Sequence, residues 1–417
     1  KKGNMIYVGF FFVLCLIPSV GMLLPQTQGS ATENRKLALW PQLRTEEGWN
    51  TDFLSEAGEY FQDHFGFRQQ LVTANALING KIFGVSTADG VIQGKNGWLY
   101  YKDSLSDYLG TEPMSERSLF NVAHTLSMMQ DYTEKSGAKF LFTIAPNKNT
   151  LYGENMPYYD SMIVSEDKNM DRIEAYLEKE NVNYVNLKEI LESSDEVLYH
   201  ERDSHWNNKG AALAGDALMT ALDKEHTDYT QESYEECVDF TGDLDEMLYP
   251  LALTEEKEIY YDKADVFAYV GEVESNFDPK ITTVNPGSTG SLVMYRDSFG
   301  NAILPFFANS YANAYFSRGI PYQMTDLAEH QADTVIVERA ERFLPEMAEN
   351  PPQMEAPQLT VGAVMEPEME ENARNTVTAE VQGDLVKVSG LMDEAILDTD
   401  SRIAIRRNGA IPLKHFR

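Results

Sequence analysis

Three short apolar runs constrain this chain more than anything else in it. KFLFTIAP (139–146), SLVMYR (291–296) and DTVIVE (333–338) carry apolar side chains at consecutive rather than alternate positions. A strand of that kind must be covered on both faces. Around them stand segments of helical periodicity: 115–136, ended by Gly137, then 167–180, and the Ala-rich stretch 207–222. NYVNL (183–187) adds a further short strand. Alternation of this kind predicts an α/β fold, a three-layer αβα domain over residues 90–345.

The flanks read differently. Residues 5–24, MIYVGFFFVLCLIPSVGMLL, hold no charge and follow Lys1 and Lys2. That length crosses a ~30 Å hydrocarbon core as a helix. It predicts a transmembrane anchor over 1–25, with the rest of the chain extracytoplasmic at the cell membrane; a secreted product after signal cleavage is the alternative. Residues 26–89 form an N-terminal helical extension, because Phe61, Phe65, Leu71, Ala74 and Leu77 recur near helical spacing between 53 and 83. VIQGKNGWLYY (91–101) reads as a hairpin turning at Lys95-Asn96-Gly97. Residues 346–373, rich in Pro, Glu and Met, read as a linker, and 374–417 alternate apolar and polar residues as a small β module would.

Charge and cysteine content remove several functions. The 34 Lys and Arg against 66 Asp and Glu give a net charge of -32, a field that repels phosphate backbones, so no nucleic acid partner is expected. The two cysteines, Cys15 and Cys237, build neither a disulfide framework nor a cysteine-rich metal site. The seven histidines show no familiar ligand spacing apart from His200 to His205, so no metal and no cofactor is expected.

Chemistry concentrates in three segments. In Glu201-Arg202-Asp203-Ser204-His205-Trp206-Asn207-Asn208-Lys209-Gly210, an Asp two residues before a His on a loop can accept from the imidazole, fix its tautomer and stabilise its cation. The bland reading is a turn cap beside a surface His. In Tyr295-Arg296-Asp297-Ser298-Phe299-Gly300-Asn301, a serine follows a buried strand and precedes an apolar helical segment. Its hydroxyl then projects from the sheet edge, where amides at the helix start can bind an oxyanion. Here the bland reading is a helix N-cap at Ser298 or Asp297. Ala145-Pro146-Asn147-Lys148-Asn149-Thr150 lies at the carboxyl end of the first strand, the edge where open α/β sheets bind ligands. Asn147 and Lys148 are candidates to contact substrate or the oxyanion, as are Gly300, Asn301, Arg296 and Trp206; Trp206, Tyr295 and Phe299 could stack on a sugar or simply belong to the core.

Taken in this order, the runs D-S-H-W-N-N-K-G, Y-R-D-S-F-G-N and A-P-N-K resemble the DHHW proteins and the AlgJ- and AlgX-type polysaccharide O-acetyltransferases. E-N-R-K-L (34–38), D-H-F-G-F-R (63–68) and G-K-N-G-W-L-Y (94–100) extend the likeness over most of 30–345. The resemblance implies a circularly permuted SGNH-hydrolase-like fold, with Ser298 as nucleophile, His205 as base and acid, and Asp203 as its orienter. It implies a polysaccharide acceptor, an acyl donor and a membrane-bound acetyl-delivery protein. Ser204 stands where the family's name motif has its first His, a spacer position. A carbohydrate esterase using the same triad, and a non-catalytic envelope module that binds glycan, are the competing expectations.

Overall fold

The computed structural model describes residues 2–21, 37–45, 48–263, 265–355, 375–382, 385–393, 395, 398–401, 403–406 and 412–416. The three apolar runs become the adjacent strands Lys139–Ala145, Thr334–Ala340 and Thr289–Tyr295, all parallel. Tyr184–Val185 pairs in parallel outside the first, and Tyr311–Ser317 in parallel outside the last. Lys280–Val284 and Ala268–Tyr269 then close a seven-stranded sheet in antiparallel sense.

Each central strand feeds two cores, which is why its apolar run has no polar alternation. Leu141, Leu292, Met294 and Ile336 point into one cluster, beneath the helices Asn208–Ala221 and Gly300–Ser310. Phe140, Phe142, Val293, Tyr295, Val335 and Val337 point into the other, beneath Glu116–Lys135 and Asn169–Lys179. With side chains alternating across a strand, both faces must be apolar and helix-covered. The result is a mixed α/β layered fold whose parallel strands all end at one edge.

Helix ends follow local chemistry. Ser115 accepts from the Ser118 amide and Asn207 from the Gly210 amide, capping the two helices that follow them. The expected strand 183–187 shrinks to Tyr184–Val185. The helix expected over 53–83 is broken: Phe53–His64 and Arg68–Ile78 are separated by a turn in which Phe67 has φ 62°, followed by Asn79–Phe83. Periodicity survives such a break because both pieces keep apolar residues in phase. The 91–101 hairpin forms with Val91–Gln93 paired to Leu99–Tyr101.

Lys2–Gly21 is helical. Among the described residues, no helix is long and apolar enough to cross a membrane. The linker expected at 346–373 lies outside the described residues from 356 onward; before it, Leu344–Glu349 is helical. In the last segment Thr376–Gln382 pairs with Leu385–Leu391, and Ile403–Arg406 with Pro412–Phe416.

Candidate active site

Ser298 follows Thr289–Tyr295 by three residues and precedes Gly300–Ser310, at the carboxyl edge of the sheet. The turn is set by Asp297, not by Ser298. Its Oδ1 accepts from the Phe299 amide at 2.9 Å and its Oδ2 from the Ala340 amide at 2.6 Å, tying the turn to the end of the neighbouring strand. The helix has no side-chain cap, its N-cap position being Phe299, so neither Asp297 nor Ser298 is spent as one, and the Ser298 hydroxyl is left for another partner. Gly300 is required by closeness: a Cβ there would lie 2.6 Å from the Cβ of Arg296.

That other partner is His205. Its Nε2 lies 2.8 Å from Ser298 Oγ, and its Nδ1 lies 2.8 Å from Asp203 Oδ1. Asp203 also accepts from the His205 amide at 2.8 Å and, through Oδ2, from the Asp243 amide at 2.8 Å. Burial alone would raise the Asp203 pKa, but the His205 hydrogen bond and charge and the two amides hold it well below the usual carboxylate range. Burial likewise works to lower the pKa of His205, and the hydrogen bond and charge of Asp203, with the charge of Asp243, outweigh it and leave it raised. An imidazole between a hydroxyl and an ionised carboxylate is the arrangement that activates a serine.

The base loop 200–206 is held by ions rather than by regular structure. Lys148, buried among its neighbours, donates from Nζ to the carbonyls of His200 (3.1 Å), Glu201 (3.0 Å) and Asp203 (2.5 Å). Desolvation pushes its ammonium down to about 8, against the pull of Asp203 and other carboxylates. Glu256 accepts from the Glu201 amide at 2.8 Å and from the Arg202 amide at 3.0 Å, and Arg202 donates from Nε to Asp245 at 2.7 Å. His200 meets Glu258 at 2.9 Å and stacks on Phe240. Most of these partners come from Tyr234–Thr241, Glu255–Tyr261 and the segment between them, a hairpin that sequence reading passed over. By composition its dense Glu and Asp content is indistinguishable from solvated surface.

The remaining expected contacts divide. Lys148 and Asn147 are both engaged within the chain: the lysine donates to the three loop carbonyls, and Asn147 donates to Asp107 at 3.0 Å while its amide donates to Glu341 at 2.9 Å. Arg296 is buried and donates to the carbonyls of Asn276 (2.9 Å) and Asp278 (3.1 Å) and to Asn301 Oδ1, so it braces the turn from below. Asn301 is fixed by that bond, and its Nδ2 has no partner among the described residues. Trp206 is core, its indole donating to the Phe299 carbonyl at 3.1 Å, and Tyr295 and Phe299 are buried as well. The Phe299 ring packs edge-on against His205 at 4.9 Å and against Trp206 at 4.9 Å. Arg342, which sequence reading missed, lies over Phe299 at 5.3 Å and over Tyr101 at 5.5 Å, at the mouth of the same site.

Glu341, beside these groups, makes a measurable signature. Burial, then the charge of Asp107, pushes its carboxyl up to about 7, while it accepts from the Asn147 amide and from Thr150 Oγ1 at 2.6 Å. A folded-state pKa raised above the unfolded one gives stability that is greatest below about pH 4.5 and falls as pH rises to about 7. The loss is up to roughly 3 kcal/mol. Glu341→Gln keeps an acceptor and cannot ionise. Urea unfolding from pH 4.5 to 8 is expected to show a flatter stability profile for the variant than for the parent, and parallel profiles would refute the assignment.

A layered α/β domain thus holds Asp203, His205 and Ser298 in one hydrogen-bonded relay at the carboxyl edge of its sheet. Residues 91–270 match the family model described as the SGNH hydrolase-like domain of acetyltransferase AlgX, a segment that holds Asp203 and His205 and stops before Ser298. The chain is 24% identical over 178 residues to a probable alginate O-acetylase AlgJ of Pseudomonas syringae pv. tomato, a match covering 42% of this chain and 43% of that one. The match thus spans less than half the length of that relative. Among solved structures it resembles Bacillus cereus PatB1 (TM-score 0.48, 15% identity, 61% of this chain and 96% of that one). It also resembles a DHHW family protein of Eubacterium siraeum (TM-score 0.46, 15% identity, 62% and 97%).

Proposed function

We propose that this chain is an extracytoplasmic serine O-acyltransferase that moves an acyl group, acetyl by its relatives, onto a hydroxyl of an envelope or secreted polysaccharide. The observation that carries it is the continuous relay from Asp203 through His205 to Ser298 Oγ. Ser298 Oγ attacks the donor's carbonyl carbon while its proton passes to His205 Nε2. The tetrahedral intermediate collapses, the leaving group takes that proton, and an ester on Ser298 remains. An acceptor hydroxyl then gives its proton to His205, attacks the ester carbonyl and releases Ser298, which regains a proton. Oxyanion support is assigned to the Gly300 amide and Asn301 Nδ2, since the Phe299 amide is held by Asp297 and the Asn301 amide by the Ser298 carbonyl.

Polysaccharide as acceptor rests on the relative named a probable alginate O-acetylase. Under the same reading residues 5–24 anchor the chain beside a membrane-bound protein that supplies acetyl groups; the absence of any charge in that run supports this. The test is direct. The purified chain, incubated with an activated acetyl ester, is expected to show an acetyl adduct on the peptide bearing Ser298, and the adduct is expected to decay faster when an oligosaccharide is added. Acetylated oligosaccharide identifies a transferase; free acetate alone identifies an esterase. Ester turnover without any adduct on Ser298 would overturn the acyl-enzyme.

A further inference from the structure

A second carboxylate stands behind His205. Asp243 Oδ1 accepts from the Ser204 amide at 2.8 Å, and its Oδ2 accepts from Ser204 Oγ at 2.6 Å. Ser204 Oγ in turn lies 3.1 Å from His205 Nδ1, and Asp243 Oδ2 itself lies 3.7 Å from that nitrogen. Because the Ser204 hydroxyl proton goes to Asp243, the oxygen's lone pairs face the Nδ1 proton. That proton is shared between Asp203 Oδ1 and Ser204 Oγ.

We propose that Asp243 is a second carboxylate of the relay, a positioning residue that acts on His205 through the Ser204 hydroxyl. The inference rests on the reading of His205 as the base. Its backbone works toward the same end, since the Asp243 amide holds Asp203 Oδ2 and Gly242 packs against the backbone of Arg202, where a Cβ would lie 2.5 Å from the carbonyl carbon. One residue therefore fixes Asp203 through its main chain and His205 through its side chain. Ser204, the spacer that departs from the family's name motif, is the bridge; a hydroxyl is small enough to fit and both donates and accepts.

Asp243 is itself perturbed: burial, then the charge of Asp203, pushes its carboxyl up to about 6. The charged and titratable groups acting on it and on His205 are Asp203, Lys148, Glu246, Arg342 and Tyr101. Asp243 and His205 titrate as an interacting pair.

The measurement is the acid limb of kcat/KM for an acetyl ester, with a parallel NMR titration of the His205 ring in the Ser298→Ala background. Asp243→Asn keeps an acceptor for the Ser204 amide but removes the charge, which raises the His205 pKa. The limb and the NMR pKa are expected to move to lower pH by about one unit, with kcat about tenfold lower and KM unchanged. Ser204→Ala, which leaves the charge but cuts the bridge, is expected to lower kcat with a smaller shift. A residue that merely supported the fold would lower kcat without moving either pKa. An NMR pKa for His205 identical in parent and Asp243→Asn overturns the proposal. An ester activity indifferent to Ser298→Ala would sink the serine reading instead, while the NMR titration would still decide the role of Asp243.

Discussion

Ser298→Ala is expected to lower turnover of an activated acetyl ester by on the order of 10⁶-fold, leaving only what binding and oxyanion contacts supply. The magnitude follows from how the relay works as a unit. His205 has a proton to move only if Ser298 Oγ, 2.8 Å away, is there to give it, and Asp203 has a role only through His205. His205→Ala alone and the double variant with Ser298→Ala are therefore expected to fall to the same floor, and Asp203→Asn to stop short of it by about a hundredfold. Stability should hardly respond to Ser298→Ala, since among the described residues the hydroxyl's one partner is His205. Steady-state kinetics and a melting curve on the same preparation check both halves. A residual rate within tenfold of the parent would assign the chemistry elsewhere.

The second large effect is on stability. Lys148→Met removes a buried charge, which by itself favours folding: the shift of its ammonium down to about 8, desolvation net of the carboxylates' pull, corresponds to roughly 3 kcal/mol against the charged form. The same change orphans three carbonyls, those of His200, Glu201 and Asp203. Each buried acceptor left unmade costs about 1–3 kcal/mol. The carbonyls win, and unfolding free energy is expected to fall by roughly 3 kcal/mol. Because the third carbonyl belongs to Asp203, turnover should fall with it, by about a hundredfold, as the base loop loosens. Urea unfolding with m-value unchanged tests the first claim. A variant as stable as the parent would mean that water replaces the ammonium.

What sequence could and could not read divides along one physical line. The central strands, their helices and the order Asp203, His205, Ser298 were legible because burial on two faces and a strand-to-helix turn leave local patterns. The partners of the base loop were not. Asp243, Glu256 and Glu258 stand some forty to fifty-odd residues after it, as their bonds to Ser204, Arg202 and His200 show, in a stretch whose acidity is indistinguishable from solvated surface. The position of Lys148 at a strand end is legible, but its bonds to the loop carbonyls are not, because a lysine there can equally face solvent or a ligand. Trp206 followed the burial expected of aromatics rather than the lure of a neighbouring motif.

The base loop has one property that its separate bonds conceal. Its carbonyls at 200, 201 and 203 converge on a single ammonium, while its amides at 201, 202, 204 and 205 meet the carboxylates of Glu256, Asp243 and Asp203. A ribbon of peptide is thus sorted by sign, its carbonyls meeting a cation and its amides meeting anions, much as ions are sorted in a salt. Such a segment needs no helix or strand to keep its shape. It also explains where part of an acidic chain's excess is lodged: three of its carboxylates serve as the counterions of a backbone, and the histidine they surround inherits their field.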